Sequence, residues 1–251
     1  MVTGERLQTI VAEVRGFLVQ HADPAEAGRY SRYFREGYDA YGIERHVWEG
    51  QLAQWATDYS AELGLDGRLL LGDLLVSSGK YEEGMLTIRL AARSREQITS
   101  AALDGLGGWL ERLPTWAHCD VLCGEVLGPC LADGSVALAD FAGWRPAPGK
   151  FRRRAVPVAM LSLLKKPGEL AVLLAFIQPM MLDGERVVHQ GLGWFLREAW
   201  KRTPAPVEAF LLEWKDTSAR LIFQYATEKM DAQGKERFRR QRAASKVGRS
   251  I

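Results

Sequence analysis

Apolar residues recur along most of the chain at spacings of three and four, the pattern of helices that bury one face. The segments with this pattern are each roughly ten to twenty residues long, and short turns containing glycine or polar residues separate them. An alternation with a period of two, which would indicate strands, is almost absent. The sequence therefore predicts an all-α protein of about a dozen helices.

Capping residues and glycines predict where these helices begin and end. Asp23-Pro24-Ala25-Glu26 is a capping box with proline at the first helical position, and its helix is predicted to continue through Tyr41 and end at Gly42. A second helix is predicted from about Glu44 to Leu63. The later predicted helices are LDGRLLLGDLL, YEEGMLTIRLAARS, REQITSAALDGLGGWLERL, one opened by Pro114, a short one near 136–144, one after Pro148-Gly149, two over about 168–182 and 185–202, AFLLEW and SARLIFQYATEKM.

The arrangement of these helices predicts an α-solenoid. Paired helices of this length, joined by short turns and without an exact sequence repeat, resemble an α-solenoid whose repeats have diverged. Such stacks curve and present a concave face. A compact, non-repeating helical bundle is the alternative. No linker divides the chain, so residues 1–230 are expected to form a single helical-repeat domain, followed by a basic tail over 231–251 that is partly disordered.

The composition limits the class of protein. The chain has 251 residues, 47% of them hydrophobic, which is enough for a sizeable core. No apolar run reaches the roughly eighteen residues of a membrane span, and the acidic, amphipathic N-terminus lacks the pattern of a signal peptide. A cytoplasmic protein is therefore expected. Cys119, Cys123 and Cys130 are expected to be buried thiols, since no second ligand pair has the spacing of a zinc site.

Charge is distributed unevenly along the chain. Residues 1–144 carry 12 Lys and Arg against 21 Asp and Glu, whereas 145–202 carry 11 against 4 and 235–251 carry 7 against 1. A basic face with a basic tail suits a polyanionic partner, and nucleic acid is the first candidate. An ordinary solvated surface with a disordered tail is the alternative.

The stretch LPTWAHCDVL, residues 113–122, contains the most informative spacing. Trp116 and Asp120 are four residues apart, so a helix places the indole and the carboxylate on one face. The face of an aromatic ring attracts positive charge and a carboxylate stabilises it, which suits a cationic substrate. A core tryptophan beside a surface carboxylate is the alternative interpretation.

Two basic stretches provide candidates for binding phosphate. In GKFRRRAVPVAML, Arg152, Arg153 and Arg154 are consecutive, and because helix positions differ by about 100° they cannot share one face. At least one guanidinium is expected to point towards whatever the helix faces, and a phosphate is a natural partner for it. Simple exposure of these arginines to solvent is the alternative. In HQGLGWFLREAWKR, helical spacing places three side chains on one face of the predicted helix: Trp194, Arg197 and Lys201.

Four of these stretches together resemble the DNA alkylation repair family of helical-repeat glycosylases, the AlkD-like proteins. They are RYFREGYDAYGI (32–43), TWAHCDVL (115–122), FRRRAVPV (151–158) and QGLGWFLREAWKR (190–202). Their order and spacing match the family to about Met230, and the last two are the most specific. The basic tail lies outside the resemblance.

The resemblance implies a function and a set of residues. It implies a stack of HEAT-like helix pairs that binds duplex DNA in its groove and releases cationic bases such as N3-alkyladenine and N7-alkylguanine, without a cofactor. Asp120 resembles the family's catalytic carboxylate, and Trp116 and Trp194 resemble the walls beside it. Tyr33 resembles a tyrosine that lines the cleft. The expected DNA contacts are Tyr33, Arg152, Arg153, Arg154, Arg197 and Lys201.

Glycosylases usually flip the base into a pocket. The resemblance implies an exception to this rule, in which the base stays stacked in the duplex. One chain is sufficient to form such a groove, so the protein is expected to be a monomer that binds DNA in the nucleoid. A membrane partner is not expected. The sequence departs from the family at Ala117, where an acidic residue is frequent, at Cys119, where a small aliphatic residue is common, and at Phe151, where tryptophan is frequent. These departures leave Trp116, Asp120 and Trp194 in place and bear on substrate range and rate more than on the class of reaction. Two other hypotheses stay open: a non-catalytic binder of bent or branched DNA, and a scaffold for protein partners.

Overall fold

In a computed structural model, which describes residues 3–165 and 168–240, the chain forms fourteen α-helices and no strand within those ranges. The predicted all-α class is confirmed. The helices are α1 (Gly4–Gln20), α2 (Pro24–Ser31), α3 (Arg45–Glu62), α4 (Leu65–Val76), α5 (Tyr81–Ala92), α6 (Leu103–Arg112), α7 (Trp116–Leu122), α8 (Gly128–Asp133), α9 (Lys150–Ala159), α10 (Leu170–Ile177), α11 (Arg186–Trp200), α12 (Pro204–Trp214), α13 (Arg220–Ala226) and α14 (Ala232–Arg237). Of the tail predicted over 231–251, residues 241–251 lie outside the described residues.

The helices stack in the order of the sequence. Along one row, α3, α5, α7, α9, α11 and α13 each pack against the next member of the series. A second row contains the contacts between α4 and α6 and between α10 and α12, and α4 also packs closely on α5. Because these contacts join alternate helices along each row, the architecture is a helical repeat, as the sequence predicts.

Two apolar clusters fill the interior and meet at α4 and α5. The N-terminal cluster is built mainly from α1, α3 and the facing sides of α4 and α5, with Ile10, Leu18 and Leu71 fully buried. The larger cluster continues from α5 to Phe238, which follows α14. No helix in the described ranges has both the length and the apolar character to span a membrane.

The three cysteines belong to the larger cluster. All are free and buried, as expected for packing thiols. The thiols of Cys119 and Cys123 donate to the carbonyl oxygens of Phe151 and Ala155 on α9, at 3.4 and 3.5 Å. Among the residues that the structure describes, no three His, Cys, Asp or Glu side chains form a group that could hold a metal ion.

The helix predicted from Pro24 to Tyr41 is wrong in length. Asp23 caps it as expected, accepting from the amide of Ala25 at 2.8 Å, but α2 ends at Ser31 and residues 32–44 form turns and extended chain. At the end of this stretch the chain is held by the buried carboxylate of Glu82, whose oxygens accept from the amides of Tyr41 and Gly42 at 3.0 and 2.9 Å. Those amides could not make helical bonds at the same time. We call residues 32–44 the connecting segment.

The helix that carries Asp120 also begins later than predicted. Pro114 precedes it, and Thr115 is the N-cap, whose hydroxyl accepts from the amide of His118. A single π-helical turn over Cys123–Leu127 joins α7 to α8. Gly128 follows that turn, and a Cβ there would lie 2.7 Å from the carbonyl oxygen of Cys123, so the close backbone approach requires glycine. The single helix predicted over 95–113 is instead two short 3₁₀ turns followed by α6.

Gly193 allows α11 and α13 to approach closely, and its substitution gives a stability prediction. A Cβ on Gly193 would lie 2.5 Å from Cβ of Tyr225 and 2.7 Å from the carbonyl oxygen of Ile222. Both are rigid backbone-linked atoms, so Gly193→Ala should lower the free energy of unfolding by about 1–3 kcal/mol in denaturant titrations. The matched control is Gly16→Ala in α1, where a Cβ meets no atom within 4 Å. That variant should be stabilised by roughly 0.5–1 kcal/mol. Equal stability of the two variants would contradict the close approach.

Candidate active site

A cavity of about 290 Å³ opens along the row of α7, α9, α11 and α13. Each of these helices contributes at least one side chain, and the connecting segment contributes Tyr33. The lining residues are Tyr33, Trp116, Asp120, Arg154, Gln190, Trp194, Arg197 and Tyr225. We call it the Trp–Asp–Trp cavity. It brings together six residues that the sequence had nominated from four separate stretches.

The centre of this cavity is an ion pair between Asp120 and Arg154. Nε and Nη2 of Arg154 donate to Oδ1 and Oδ2 of Asp120, both at 2.9 Å, which is the bidentate geometry. Nη1 of Arg154 donates to the carbonyl oxygen of Val187 at 2.6 Å. Burial alone would lower the pKa of Arg154, but the hydrogen bonds and the charge of Asp120 outweigh it and the pKa is raised. Asp120 is therefore held in one orientation, with 18% of its side chain exposed to the cavity.

Two tryptophans line the cavity near this pair. Trp116 lies one helical turn before Asp120, as predicted, and its indole N–H donates to the carbonyl oxygen of Tyr33 at 3.3 Å. Its ring stacks on Phe34 with centroids 5.3 Å apart and planes 27° apart. Trp194 comes from α11 and packs against the larger apolar cluster while lining the cavity. Both rings are partly buried, so each is fixed by packing and keeps a surface towards the cavity.

His118 stabilises the start of α7 from inside the protein. Its Nδ1 lies 2.8 Å from Oγ1 of Thr115 and its Nε2 lies 2.9 Å from the carbonyl oxygen of Tyr81. A carbonyl can only accept, so Nε2 carries the hydrogen and the threonine hydroxyl donates to Nδ1. Burial lowers the pKa of His118 to about 4, with the bond to Tyr81 opposing this. The ring is therefore neutral at pH 7 and ties α7 to α5.

This histidine predicts how stability depends on pH. The unfolded chain should take up its proton near the ordinary pKa of 6.5, and the folded chain only near 4. The unfolded state therefore binds more protons across this window, and stability is lost as the pH falls through it, by about 3 kcal/mol at most. Unfolding in urea between pH 7 and 4 should show a smaller loss for His118→Gln than for the wild type. The control His21→Gln, at an exposed position, should keep the wild-type dependence; an identical slope in His118→Gln would contradict the assignment.

The structure corrects the expectations for the three consecutive arginines. Arg153 donates to the buried carboxylate of Asp183 at 2.6 Å and to the carbonyl oxygens of Ala147 and Pro148, so its guanidinium is committed to the protein. Arg152 lies over the ring of Trp144 and pairs with Asp104 on another surface. Neither reaches the Trp–Asp–Trp cavity. Arg154 does, but it is 5% exposed and donates to Asp120 and Val187, which makes it a support for Asp120 rather than a free DNA contact.

The remaining nominated residues lie at or near the rim. Tyr33 is exposed, with the guanidinium of Arg32 over its ring. Arg197 lines the cavity and pairs with Glu198 and Glu228. Lys201 continues the same face of α11 but pairs with Glu198 at 2.8 Å and does not line the cavity.

Two lining residues were missed by the sequence analysis. Gln190 donates through Nε2 to the hydroxyl oxygen of Tyr225 at 2.8 Å. Gln190 lies one turn before Trp194 on α11, so the helical spacing that grouped Trp194 with Arg197 could have included it. Tyr225 is on α13, and only the packing of α13 on α11 brings it to the cavity.

Comparisons with known proteins show which family and which solved structures this chain is similar to. A family model described as "DNA alkylation repair enzyme" matches residues 14–230. A solved structure titled "Predicted DNA alkylation repair enzyme from Enterococcus faecalis" superposes with a TM-score of 0.73 and 18% identity, covering 84% of this chain and 98% of that one. AlkD2 from Streptococcus mutans superposes with a TM-score of 0.53 and 18% identity, over 74% of this chain and 100% of its own.

A third solved structure, smu.31 from Streptococcus mutans UA159, has a TM-score of 0.58 and 18% identity over 74% of this chain and 94% of its own. A search of curated proteins finds no significant match. At such identities the structural likeness shows a shared helical-repeat fold. The family model covers most of the chain, which confirms the resemblance found in the sequence: this chain belongs to the family of DNA alkylation repair enzymes.

Proposed function

We propose that this protein is a DNA glycosylase that excises cationic alkylated purines, such as N3-alkyladenine and N7-alkylguanine, from duplex DNA. The observation that supports it most directly is the position of Asp120. Its carboxylate is partly exposed in a cavity that Trp116 and Trp194 also line. A fixed carboxylate among aromatic faces suits a reaction in which positive charge develops on the substrate.

The proposed reaction is cleavage of the bond between C1′ of the deoxyribose and the purine nitrogen. An alkylated purine already carries positive charge, so it leaves with the bonding electron pair and becomes neutral. Positive charge then builds on the sugar, and the carboxylate of Asp120 stabilises that oxocarbenium-like state. A water oxygen forms the new bond to C1′ and releases a proton. Because the leaving group needs no proton, a second catalytic carboxylate is unnecessary.

The ion pair with Arg154 is compatible with this role. A carboxylate has about four lone-pair positions, and the bidentate contact with Arg154 uses one on each oxygen. The remaining positions can face the sugar and orient the attacking water. Fixing the carboxylate before the substrate binds removes reorganisation from the chemical step, which is how such electrostatic stabilisation gains its effect.

The rim of the cavity suits the backbone of DNA. Tyr33 is exposed beside Trp116, and Arg197 and Lys201 continue the surface along α11. Both cations pair with partly exposed glutamates, and phosphates can compete with such surface pairs. We propose that these three residues hold the phosphodiester backbone while the base stays stacked. Selectivity then follows from the charge of the leaving group more than from the shape of a base pocket.

A second candidate function is a non-catalytic binder of bent or branched DNA. The same ion pair supports it, since Arg154 neutralises much of the charge that Asp120 would present to a cationic sugar. In this case the cavity would contact the backbone without breaking a bond.

Release of base from a duplex that carries a single N7-methylguanine distinguishes the two functions. The glycosylase predicts free N7-methylguanine from the modified duplex and no release from a matched unmodified one. DNA binding that weakens steeply with salt, without any release, would overturn the glycosylase in favour of the binder. Absence of both release and salt-sensitive binding would leave neither function standing.

A further inference from the structure

A second cavity, of about 350 Å³, lies between the connecting segment, α3 and α5. Five aromatic rings and several aliphatic side chains line it, together with two buried carboxylates. The residues that carry the following argument are Tyr30, Phe34, Tyr38, Tyr81, Glu26 and Glu82. We call it the aromatic cavity. Its volume is in the range of small-molecule sites, which begin at roughly 300 Å³.

Stacked rings connect this cavity to the Trp–Asp–Trp cavity. Tyr38 stacks on Phe34 with centroids 4.7 Å apart and planes 5° apart, and Phe34 stacks on Trp116. Tyr81 tilts against both Tyr38 and Phe34, at 5.1 and 6.0 Å. Phe34 therefore lines the aromatic cavity while its stacking partner Trp116 lines the other one.

Three carboxylates and two guanidinium groups line the aromatic cavity, and two of the carboxylates, those of Glu26 and Glu82, are buried. Glu26 and Glu82 are 9% and 3% exposed. Glu82 accepts hydrogen bonds from the amides of Tyr41 and Gly42, and Glu26 pairs with Arg29, whose side chain is 69% exposed and well screened.

The other charged groups at this cavity are already balanced. Arg45 pairs with Glu49, and Arg89 pairs with Glu125. In the part of the chain that the structure describes, the hydroxyls of Tyr30, Tyr38 and Tyr81 have no hydrogen-bond partner within the protein. Burial and the charge of Glu82 raise the pKa of Tyr38, so its phenol remains a neutral donor.

We propose that the aromatic cavity binds a flat heteroaromatic cation of purine size. Aromatic faces attract cations, stacked rings hold planar ones, and buried carboxylates favour positive charge in a site from which water is displaced. The identification of the cation as an alkylated nucleobase rests on the proposed function. Neutral bases of the same size gain the stacking but not the attraction to Glu26 and Glu82, so the site discriminates by charge.

Two isomeric nucleosides test this proposal. 1-Methyladenosine is protonated and therefore a cation at neutral pH, whereas N6-methyladenosine has the same heavy atoms and is neutral. Isothermal titration calorimetry of the intact protein should give an affinity for 1-methyladenosine at least about tenfold higher than for its isomer. Equal affinities, or binding of neither nucleoside, would overturn the proposal.

Variants locate the bound nucleoside. Glu26→Gln should reduce the preference for the cation by about tenfold, and the control Glu213→Gln, at an exposed position of α12, should leave it unchanged. Tyr38→Leu should abolish binding, whereas Tyr38→Phe, which keeps the stacked ring, should retain it. Circular dichroism confirms that each variant is folded.

Asp120→Asn separates this proposal from the proposed function. The variant should still bind 1-methyladenosine, since Asp120 does not line the aromatic cavity. If Asp120→Asn abolishes this binding while Tyr38→Leu does not, the cation occupies the Trp–Asp–Trp cavity and the proposal fails. Failure of base release from N7-methylguanine DNA, with the isomer preference intact, would instead overturn the glycosylase alone.

A single-stranded oligonucleotide with one 1-methyladenine distinguishes the source of the base. Its competition with 1-methyladenosine would mean that a base still attached to DNA reaches the cavity. Lack of competition would identify the free base as the ligand.

Discussion

Asp120→Asn should abolish release of N7-methylguanine from a modified duplex, with a loss of at least about a hundredfold in the single-turnover rate. Asparagine has nearly the same shape and keeps one oxygen for Arg154, but it carries no negative charge to stabilise a cationic sugar. Affinity for the same duplex should change by less than about threefold, because Asp120 contributes no positive charge to phosphate binding. Rapid-quench release and fluorescence anisotropy at one salt concentration measure the two quantities.

The matched control for this variant is Asp66→Asn, which makes the same change at an exposed position on α4. Its rate of release and its affinity should equal those of the wild type. A parallel loss of rate and affinity in Asp120→Asn would mean that the residue supports the shape of the cavity, and the proposed chemistry would then be wrong.

Arg154→Met should remove both stability and activity. Methionine fills part of the volume of the arginine side chain but leaves Asp120 without its bidentate partner and the carbonyl oxygen of Val187 without a donor. Loss of one member of such a largely buried pair costs about 3 kcal/mol of unfolding free energy. Base release by the folded protein should fall by at least about tenfold, since the carboxylate loses its fixed orientation. Urea unfolding and single-turnover release measure the two effects.

Arg153→Met is a closely matched control for Arg154→Met. Arg153 is the preceding residue of α9, and it too pairs with a buried aspartate, Asp183, but outside the cavity. This variant should lose comparable stability and keep the wild-type rate of release at temperatures where it is folded. If both variants lose activity equally, the effect of Arg154 is general destabilisation and its support of Asp120 is not the cause.

A double variant tests the coupling between the two residues. Asp120→Asn removes the charge that Arg154→Met leaves unpaired, so the double variant should be more stable than the sum of the single losses predicts. Additive losses would mean that the 2.9 Å contacts contribute no interaction energy.

Much of the fold could be predicted from the sequence because the helices bury one face each. The boundaries predicted at Glu44 and Leu63 agree with α3 to within a residue or two, since a glycine and a clear apolar pattern mark them. The connecting segment could not be predicted. Its sequence has the apolar spacing of a helix. Glu82, which binds the amides of Tyr41 and Gly42, is distant in the sequence, and only the packing of α5 brings it near.

The residues of the candidate site could likewise be predicted only in part. Trp116 and Asp120 could be grouped because one helical turn separates them. The spacing could not tell which of three adjacent arginines turns inward, because that depends on where α9 lies relative to α7 and α11. Tyr225 had no local signal for the same reason, whereas Gln190 had a usable one.

The width of the Trp–Asp–Trp cavity depends on the distance between α7 and α11. Trp116 and Trp194 project from α7 and α11, and α9 lies between those helices as a spacer. Gly191 faces α9, where a Cβ would approach Arg154 and Pro157 to 3.3 and 3.4 Å. These distances are close to ordinary contact, so a side chain larger than alanine at position 191 would press on α9 and is expected to move α11 away from it. A larger residue at this one position would therefore change the distance between Trp116 and Trp194 without altering either tryptophan or Asp120.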